Sequence, residues 1–414
     1  MEPKSMTDQN SWIRKLDRTV DAFQDRMVKT RRHLHTHPEV SGEETETTRY
    51  LEGQLLSDGF RVRTGPSGLG VIAESAGNGS GPIIALRADL DALPIQDAKA
   101  VDYRSTVQGV MHACGHDAHA AAVLGAALAL DAADKSGILP WPVSWRAIFQ
   151  PAEETNQGAL EMIEAGALDG VGAMLALHVD PSRPAGTIGH RSGVLTAHCD
   201  EMHVLIRGSG GHAARPYESR DPIAAAAQLI IAFYVAVPRS LDPRHTVVLT
   251  VGSIAAGKRY NAIPDRALLK GTVRSLDEDA RRRAMERVRE VAEGVARVSG
   301  TEIEITFRSG PPSVLNDPGL TDLIRQCAVD LLGADRVRHI GHPSMGGDDF
   351  AHYLNRVPGS LFRLGCSGPG TTTTGLHTPD FDVDERALGI GAKILARAVV
   401  RWAEPKTHEK EATR

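Results

Sequence analysis

The 414-residue sequence is poor in three things, and each shortage removes a class of function. Cysteine comes first: Cys114, Cys199, Cys327 and Cys366 are widely scattered and form no paired framework. That usage suits a reducing compartment, with thiols kept for metal or packing and not for disulfides. Positive charge is short as well, with 47 Lys and Arg against 52 Asp and Glu, a formal balance of −5. Such a chain has no sequence-independent grip on phosphate backbones, so nucleic acid is not an expected partner. Third, no run of about 18 consecutive apolar residues is found, which argues against a membrane span. The opening Met-Glu-Pro-Lys-Ser-Met-Thr-Asp-Gln-Asn leads into no apolar h-region, so no secretory signal is read there. The expected address is the cytoplasm.

What is present is ordinary globular material, 41% hydrophobic and 24% charged, long enough for two domains. Residues 11–56 carry apolar side chains at helical spacing, broken at Pro38. A hairpin-like stretch and the apolar run Pro82-Ile83-Ile84-Ala85-Leu86 follow, the latter suited to a buried strand. A small-residue helix is expected after Asp117, then a strand at 143–149, a helix at 158–165 and a strand at 173–178. That alternation predicts an α/β open sheet with helices on both faces. From about residue 198 the texture changes to strand, long helix, two strands, helix and strand, the order of a split βαβ module. The expected organisation is a catalytic domain in two sequence halves, 1–197 and 309–414, around a smaller inserted α+β domain, 198–308. The charged tail 404–414 is expected to fray.

Chemistry-bearing residues concentrate in a few places. In His112-Ala113-Cys114-Gly115-His116-Asp117-Ala118-His119, three imidazoles and a thiol fall within eight residues. These are the preferred donors of borderline transition metals, and Gly115 lets the backbone turn so that side chains two apart converge. The plainer reading is a helix start capped by Asp117. Gln150-Pro151-Ala152-Glu153-Glu154 closes a predicted strand with adjacent carboxylates, costly together unless a cation or proton offsets them. One could hold metal while its neighbour moves the proton of an activated water; a solvated turn is the alternative. His178 ends another apolar strand and His377 lies in a loop, positions where a lone histidine is commonly structural. Asp89 and Asp91, with Arg87, end the first buried strand and could orient ligands or pair with each other. His212, after the glycine-rich Gly208-Ser209-Gly210-Gly211, could reach a substrate oxygen or only follow a tight turn.

Taken in order, the stretches Arg31-Arg32-His33-Leu34-His35, Arg87 to Pro94, Gly109 to Asp117, Pro151-Ala152-Glu153-Glu154, Gly210 to Ala214, Asn261 to Asp265, Gly271 to Ser275, Met345 to Phe350 and Leu376-His377-Thr378-Pro379 resemble the M20 metallopeptidase family. The likeness is to its amidohydrolase branch of N-acyl-amino-acid, hippurate and auxin-conjugate hydrolases, with its zinc-exopeptidase-like sheet. The resemblance implies that Cys114, His116, Glu154, His178 and His377 hold two divalent ions, zinc, manganese or nickel. It implies that Glu153 is the general base for a water between them, and that His212 helps hold the oxyanion. Asn261 and Arg274 would bind substrate, including its carboxylate, with Asp89 and Asp117 behind the ligands. The inserted domain would act as lid and dimerisation module, and the substrate would be an N-acyl amino acid or related amide. A dipeptidase or aminoacyl exopeptidase, a silent metal-binding protein and a thiol enzyme using Cys114 are the alternatives. Departures from the family pattern are Tyr217 in place of a histidine, Gly347-Asp348 in place of a Ser-Glu pair, and the basic, bulky Ala256-Gly257-Lys258-Arg259-Tyr260.

Overall fold

The computed structural model describes residues 11–75, 81–369 and 374–405. The segment ahead of Ser11 and residues 406–414 of the tail expected to fray lie outside the described residues. Two compact units emerge, Met1–Gly193 with Leu315–Gly341 and His352–Arg414, and Val194–Val314 with His342–Ala351.

The first unit is built on an eight-stranded mixed sheet. Its strands are β1 (Arg61–Thr64), β2 (Val71–Glu74), β3 (Ile83–Asp89), β4 (Trp145–Gln150), β5 (Val171–Pro184), β6 (Ile188–His190), β7 (Val337–His339) and β8 (Gly359–Ser367). They lie in the order β1-β2-β4-β3-β5-β8-β6-β7. The middle four, β4, β3, β5 and β8, run parallel. Their sequences are nearly unbroken apolar runs because both faces are covered, and β4 is buried at every position. Flanking helices are α1 (Ser11–Ala22), α2 (Gln24–Thr36), α3 (Thr45–Ser57), α4 (His116–Lys135), α5 (Gly158–Glu164), α6 (Pro318–Leu332) and α7 (Arg386–Trp402).

Helix α4 sits deepest. Alanine dominates it, and burial extends around its whole circumference from His116 to Ala129. Small side chains let neighbours approach closely: a Cβ on Gly125 would lie 2.1 Å from the Met27 sulfur on α2. The expected capping by Asp117 is corrected, for Gly115 is the cap and its φ of 86° is a left-handed turn. Asp117 lies one turn-position inside, and its carboxylate accepts instead from Arg31 Nε (3.0 Å) and His35 Nδ1 (2.7 Å).

The second unit carries a four-stranded antiparallel sheet in the order Val247–Ala256, Arg266–Ser275, His198–Arg207, Glu302–Ser309. Helices Pro222–Arg239 and Glu278–Ser299 pack on it through Ala225, Leu229, Phe233, Ala284 and Val288. The Asp221 side chain caps the first of these by accepting from Ile223 and Ala224 N–H. Helix Pro222–Arg239 is long and apolar enough to cross a membrane by length and composition, although Gln228 interrupts its apolar run. Its alanine-rich inner stripe is committed to the sheet, which is the use of a core helix.

Candidate metal centre

Parallel pairing brings the carboxyl ends of β3, β4 and β5 to one edge, with Asp89 level with Gln150. In open α/β sheets such an edge is where sites are built. Five side chains gather there: Cys114 in the turn before α4, His116 at its first residue, Glu154 after β4, His178 on β5 and His377 in a loop. The ligand atoms of Cys114, His116 and His178 lie within 4.8 Å of one another, as do those of Cys114, Glu154 and His377. Individual separations are 3.6 Å from Cys114 Sγ to His178 Nε2, 3.4 Å to His377 Nε2, and 3.3 Å from that nitrogen to Glu154 Oε1. Donors bonded to one ion at about 2.0–2.3 Å stand roughly 3–4 Å apart, so the spacing fits.

Two of the three imidazoles are held so that one nitrogen is left for the cluster. His116 Nδ1 donates to Asp91, 2.9 Å to its carbonyl and 3.0 Å to Oδ1. His178 Nδ1 donates to the Val179 carbonyl at 2.8 Å. The remaining Nε2 lone pairs face inward, the arrangement that outer hydrogen bonds give to metal-ligating histidines. His116 Nε2 and Glu154 Oε1 are buried with no hydrogen-bond partner among the described residues. Such orphaned polar atoms are costly to bury unless a proton or a metal ion occupies the space between them. The donor set of thiol, imidazoles and carboxylate suits zinc, manganese or nickel.

The field around the site favours positive charge. Burial lowers His116, but the charge of Asp89 and the hydrogen bond to Asp91 act against it and hold the group well above the usual imidazole range. A field that retains a proton there equally attracts a metal ion. Burial pushes the Cys114 thiol up, so the fold alone supplies no nucleophilic thiolate. This weighs against the thiol-enzyme alternative.

Glu153 stands beside the cluster, its Oε2 4.0 Å from His116 Nε2. The turn carrying it is unusual: Ala152 has φ 52° and Asn156 φ 58°. Its conformation is fixed from both sides. Ala152 N–H donates to Glu44 Oε1 at 2.6 Å, and Glu154 N–H donates to Asp91 Oδ2 at 2.9 Å. Gly158 closes the turn, since a Cβ there would lie 1.5 Å from the Pro151 carbonyl oxygen.

The other histidines of the motif face elsewhere. His119 donates from Nδ1 to Asp89 Oδ1 (2.6 Å) while its Nε2 accepts Val179 N–H (2.9 Å), so both nitrogens are committed. His112 is buried, with neither ring nitrogen hydrogen-bonded, and burial pushes it down to about 4. Asp89 braces His119 and Arg87, and Asp117 braces α2 against α4; Asp91 is the carboxylate bonded directly to a cluster imidazole. Sequence reasoning left Asp91 undecided and passed over Glu44, whose only signal is a glutamate just ahead of α3.

His212, Asn261 and Arg274 belong to the second unit. His212 pairs with Ala262 on a short two-stranded ribbon and accepts Ala214 N–H at Nδ1 (3.0 Å), leaving Nε2 outward. Asn261 precedes that ribbon, and its carbonyl accepts Ala213 N–H. Arg274 donates to the Met345 carbonyl at 2.8 Å and touches Cys199 Sγ at 3.4 Å. Tyr217 and Tyr260, two of the departures, are exposed. A cavity of about 780 Å³, lined by Pro82, Ser144, Ala173, Asp317 and Trp402, opens at the opposite, amino ends of the strands. No cluster of ligating groups faces it among the described residues.

The chain is similar to known proteins along most of its length. The profile of Peptidase family M20/M25/M40 matches residues 85–401. N-acetyl-L-cysteine deacetylase of Bacillus subtilis is 40% identical over 393 residues, 94% of this chain and 91% of that one. Thermostable carboxypeptidase 2 of Saccharolobus solfataricus is 34% identical over 403 residues, covering 94% and 99%. Among solved structures, the YXEP protein of Bacillus subtilis, described as a dinuclear metal-binding peptidase, superposes with a TM-score of 0.78 at 37% identity, covering 92% of this chain and 99% of that one.

Proposed function

The chain belongs to peptidase family M20/M25/M40, metal-dependent hydrolases of amide bonds, and from that premise we propose that its substrate is an N-acyl amino acid. The observation carrying the proposal is the gathering of Cys114, His116, Glu154, His178 and His377 at one sheet edge with a further carboxylate, Glu153, beside them. A merely structural metal site has no use for that extra carboxylate. The five ligands would hold two divalent ions. Bound there, the ions supply Lewis-acid activation of water and of the scissile carbonyl.

The chain's own residues do the rest. Glu153 takes the proton from the attacking water and later delivers it to the leaving amine nitrogen, so its place against the cluster decides the proton path. Glu44 and Asp91 hold the backbone on either side of it. His212 Nε2–H would donate to the developing oxyanion, where losing a single donor costs about 3 kcal/mol. Asn261 and the Arg274 guanidinium would hold the substrate's carboxylate. The relative named a deacetylase supports the acyl-amino-acid reading. The relative named a carboxypeptidase supports a second reading, cleavage of a short peptide by the same groups.

Self-association through the inserted unit is part of the proposal. Its edge strand Val247–Ala256 is largely exposed, and helix Pro222–Arg239 presents Ile231 at 66% and Val235 at 56% exposure beside it. Unpaired edges and exposed apolar faces of this kind are suited to pairing with a second copy. We also assign the protein to the cytoplasm, in keeping with four free cysteines.

A panel of acetyl, benzoyl and indolyl amino-acid conjugates beside unblocked dipeptides, each assayed with zinc, manganese and nickel, tests the substrate. Hydrolysis of the conjugates, abolished by chelation and restored by metal, is the expected result. Turnover of the dipeptides alone would move the conclusion to the second reading.

A further inference from the structure

Among the described residues of the first unit, the half-buried Arg363 has no ion-pair partner. Arg363 lies on β8 directly opposite the candidate ligand His178 on β5, in parallel register, so both side chains leave the sheet on the same face. Leu364, one residue on, points to the other face, against Gly391 of α7. On its other side Arg363 is paired with Gly189 of β6, and a Cβ there would lie 3.0 Å from the guanidinium carbon of Arg183. Two arginines therefore share this stretch of the face. The carboxylate nearby in sequence, Asp180, is already committed: Oδ1 accepts from Ser182 N–H and hydroxyl, and Oδ2 from Arg183 Nε at 2.8 Å. No hydrogen bond or ion pair reaches the Arg363 guanidinium among the described residues.

A fixed guanidinium beside a cluster built for cations works against cation binding unless an anion offsets it. Among the described residues no carboxylate pairs with this guanidinium, and a half-buried arginine with an unpaired planar fork is shaped to take a carboxylate. We propose that Arg363 is a specificity-determining residue that receives a second substrate carboxylate, so that the preferred amides are dicarboxylic. The proposal rests on the amidohydrolase reading and deepens it: the first carboxylate is that of the N-acyl amino acid itself. The second belongs either to an acidic amino acid or to a dicarboxylic acyl group.

The test compares N-acetylalanine, N-acetylglutamate and N-succinylalanine on the metal-loaded full chain, in wild type, Arg363→Leu and Arg363→Lys. One dianionic substrate is expected to exceed N-acetylalanine in kcat/KM by about 10- to 100-fold, the range of one charge-assisted hydrogen bond. The substrate that does so tells which side of the amide carries the acid. In Arg363→Leu that ratio falls to near one, and Arg363→Lys restores part of it. Calorimetric binding of glutamate and succinate, against alanine and acetate, gives a readout that needs no turnover. If no amide is cleaved yet dicarboxylate binding still depends on Arg363, the amidohydrolase reading fails and the anion site stands. If amides are cleaved but neither ratio nor binding changes in Arg363→Leu, the assignment of Arg363 is overturned.

Discussion

Replacing Glu44 with glutamine should stabilise the protein at neutral pH, by an amount the structure sets. Glu44 is fully buried behind the Glu153 turn. Burial pushes its carboxyl from 4.5 up to about 7, against the lowering effect of Ala152 N–H and with a small further push from Asp91. The sign follows from linkage. Below pH 4.5 the acid is neutral in folded and unfolded chains alike, and no penalty exists. Between 4.5 and 7 the unfolded chain ionises while the folded one does not, so wild type loses stability as pH rises; above 7 the deficit is constant. At about 1.36 kcal/mol per decade the deficit is about 3 kcal/mol. Glutamine keeps an oxygen for Ala152 N–H and carries no charge, so it escapes this loss. With an unfolding entropy of about 2.1 cal/mol/K per residue over 414 residues, the gain corresponds to about 4 °C in Tm. Calorimetric scans of both proteins from pH 4 to 8, stripped of metal because dications would draw the same carboxyl down, measure it. The Tm difference should open between pH 4.5 and 7 and then level off. A difference that is flat across that range, or that narrows as pH rises, refutes the account.

Three further outcomes follow from the site. Glu153→Gln should retain its metal by elemental analysis while kcat falls about 10²- to 10⁴-fold, as expected for a lost proton carrier; unimpaired turnover would remove it as the base. Cys114→Ala should lose metal and activity together, and a variant still fully loaded would disprove the ligand assignment. Asp91→Asn should weaken metal binding about 10- to 100-fold by releasing His116 Nδ1, read by competition with a chromogenic chelator; unchanged affinity would show that another contact orients the ring.

Patterns confined to a few neighbouring residues were legible from the sequence. The apolar runs of β3 and β5 announced buried strands, and the helix expected at 158–165 is found as α5. Cys114 and His116 stood out as candidate metal donors because a thiol and imidazoles within eight residues need no tertiary partner to be conspicuous. Capping by Asp117 was misjudged because a cap and a buried ion pair use the same side chain, and the competing Arg31 and His35 lie 86 and 82 residues away.

Local chemistry thus determined which side chains could act, along with the α/β class, since hydrophobic period and donor type are written residue by residue. Convergence was decided by the fold alone. His178 and His377 gain meaning only when β5 and a loop some two hundred residues further on meet the turn before α4, and His377 takes φ 62° there, with its N–H on the Ala113 carbonyl. The same holds for Arg363, an unremarked residue in sequence until strand register sets it against His178. Register is a property of paired backbones, and no single stretch of chain contains it.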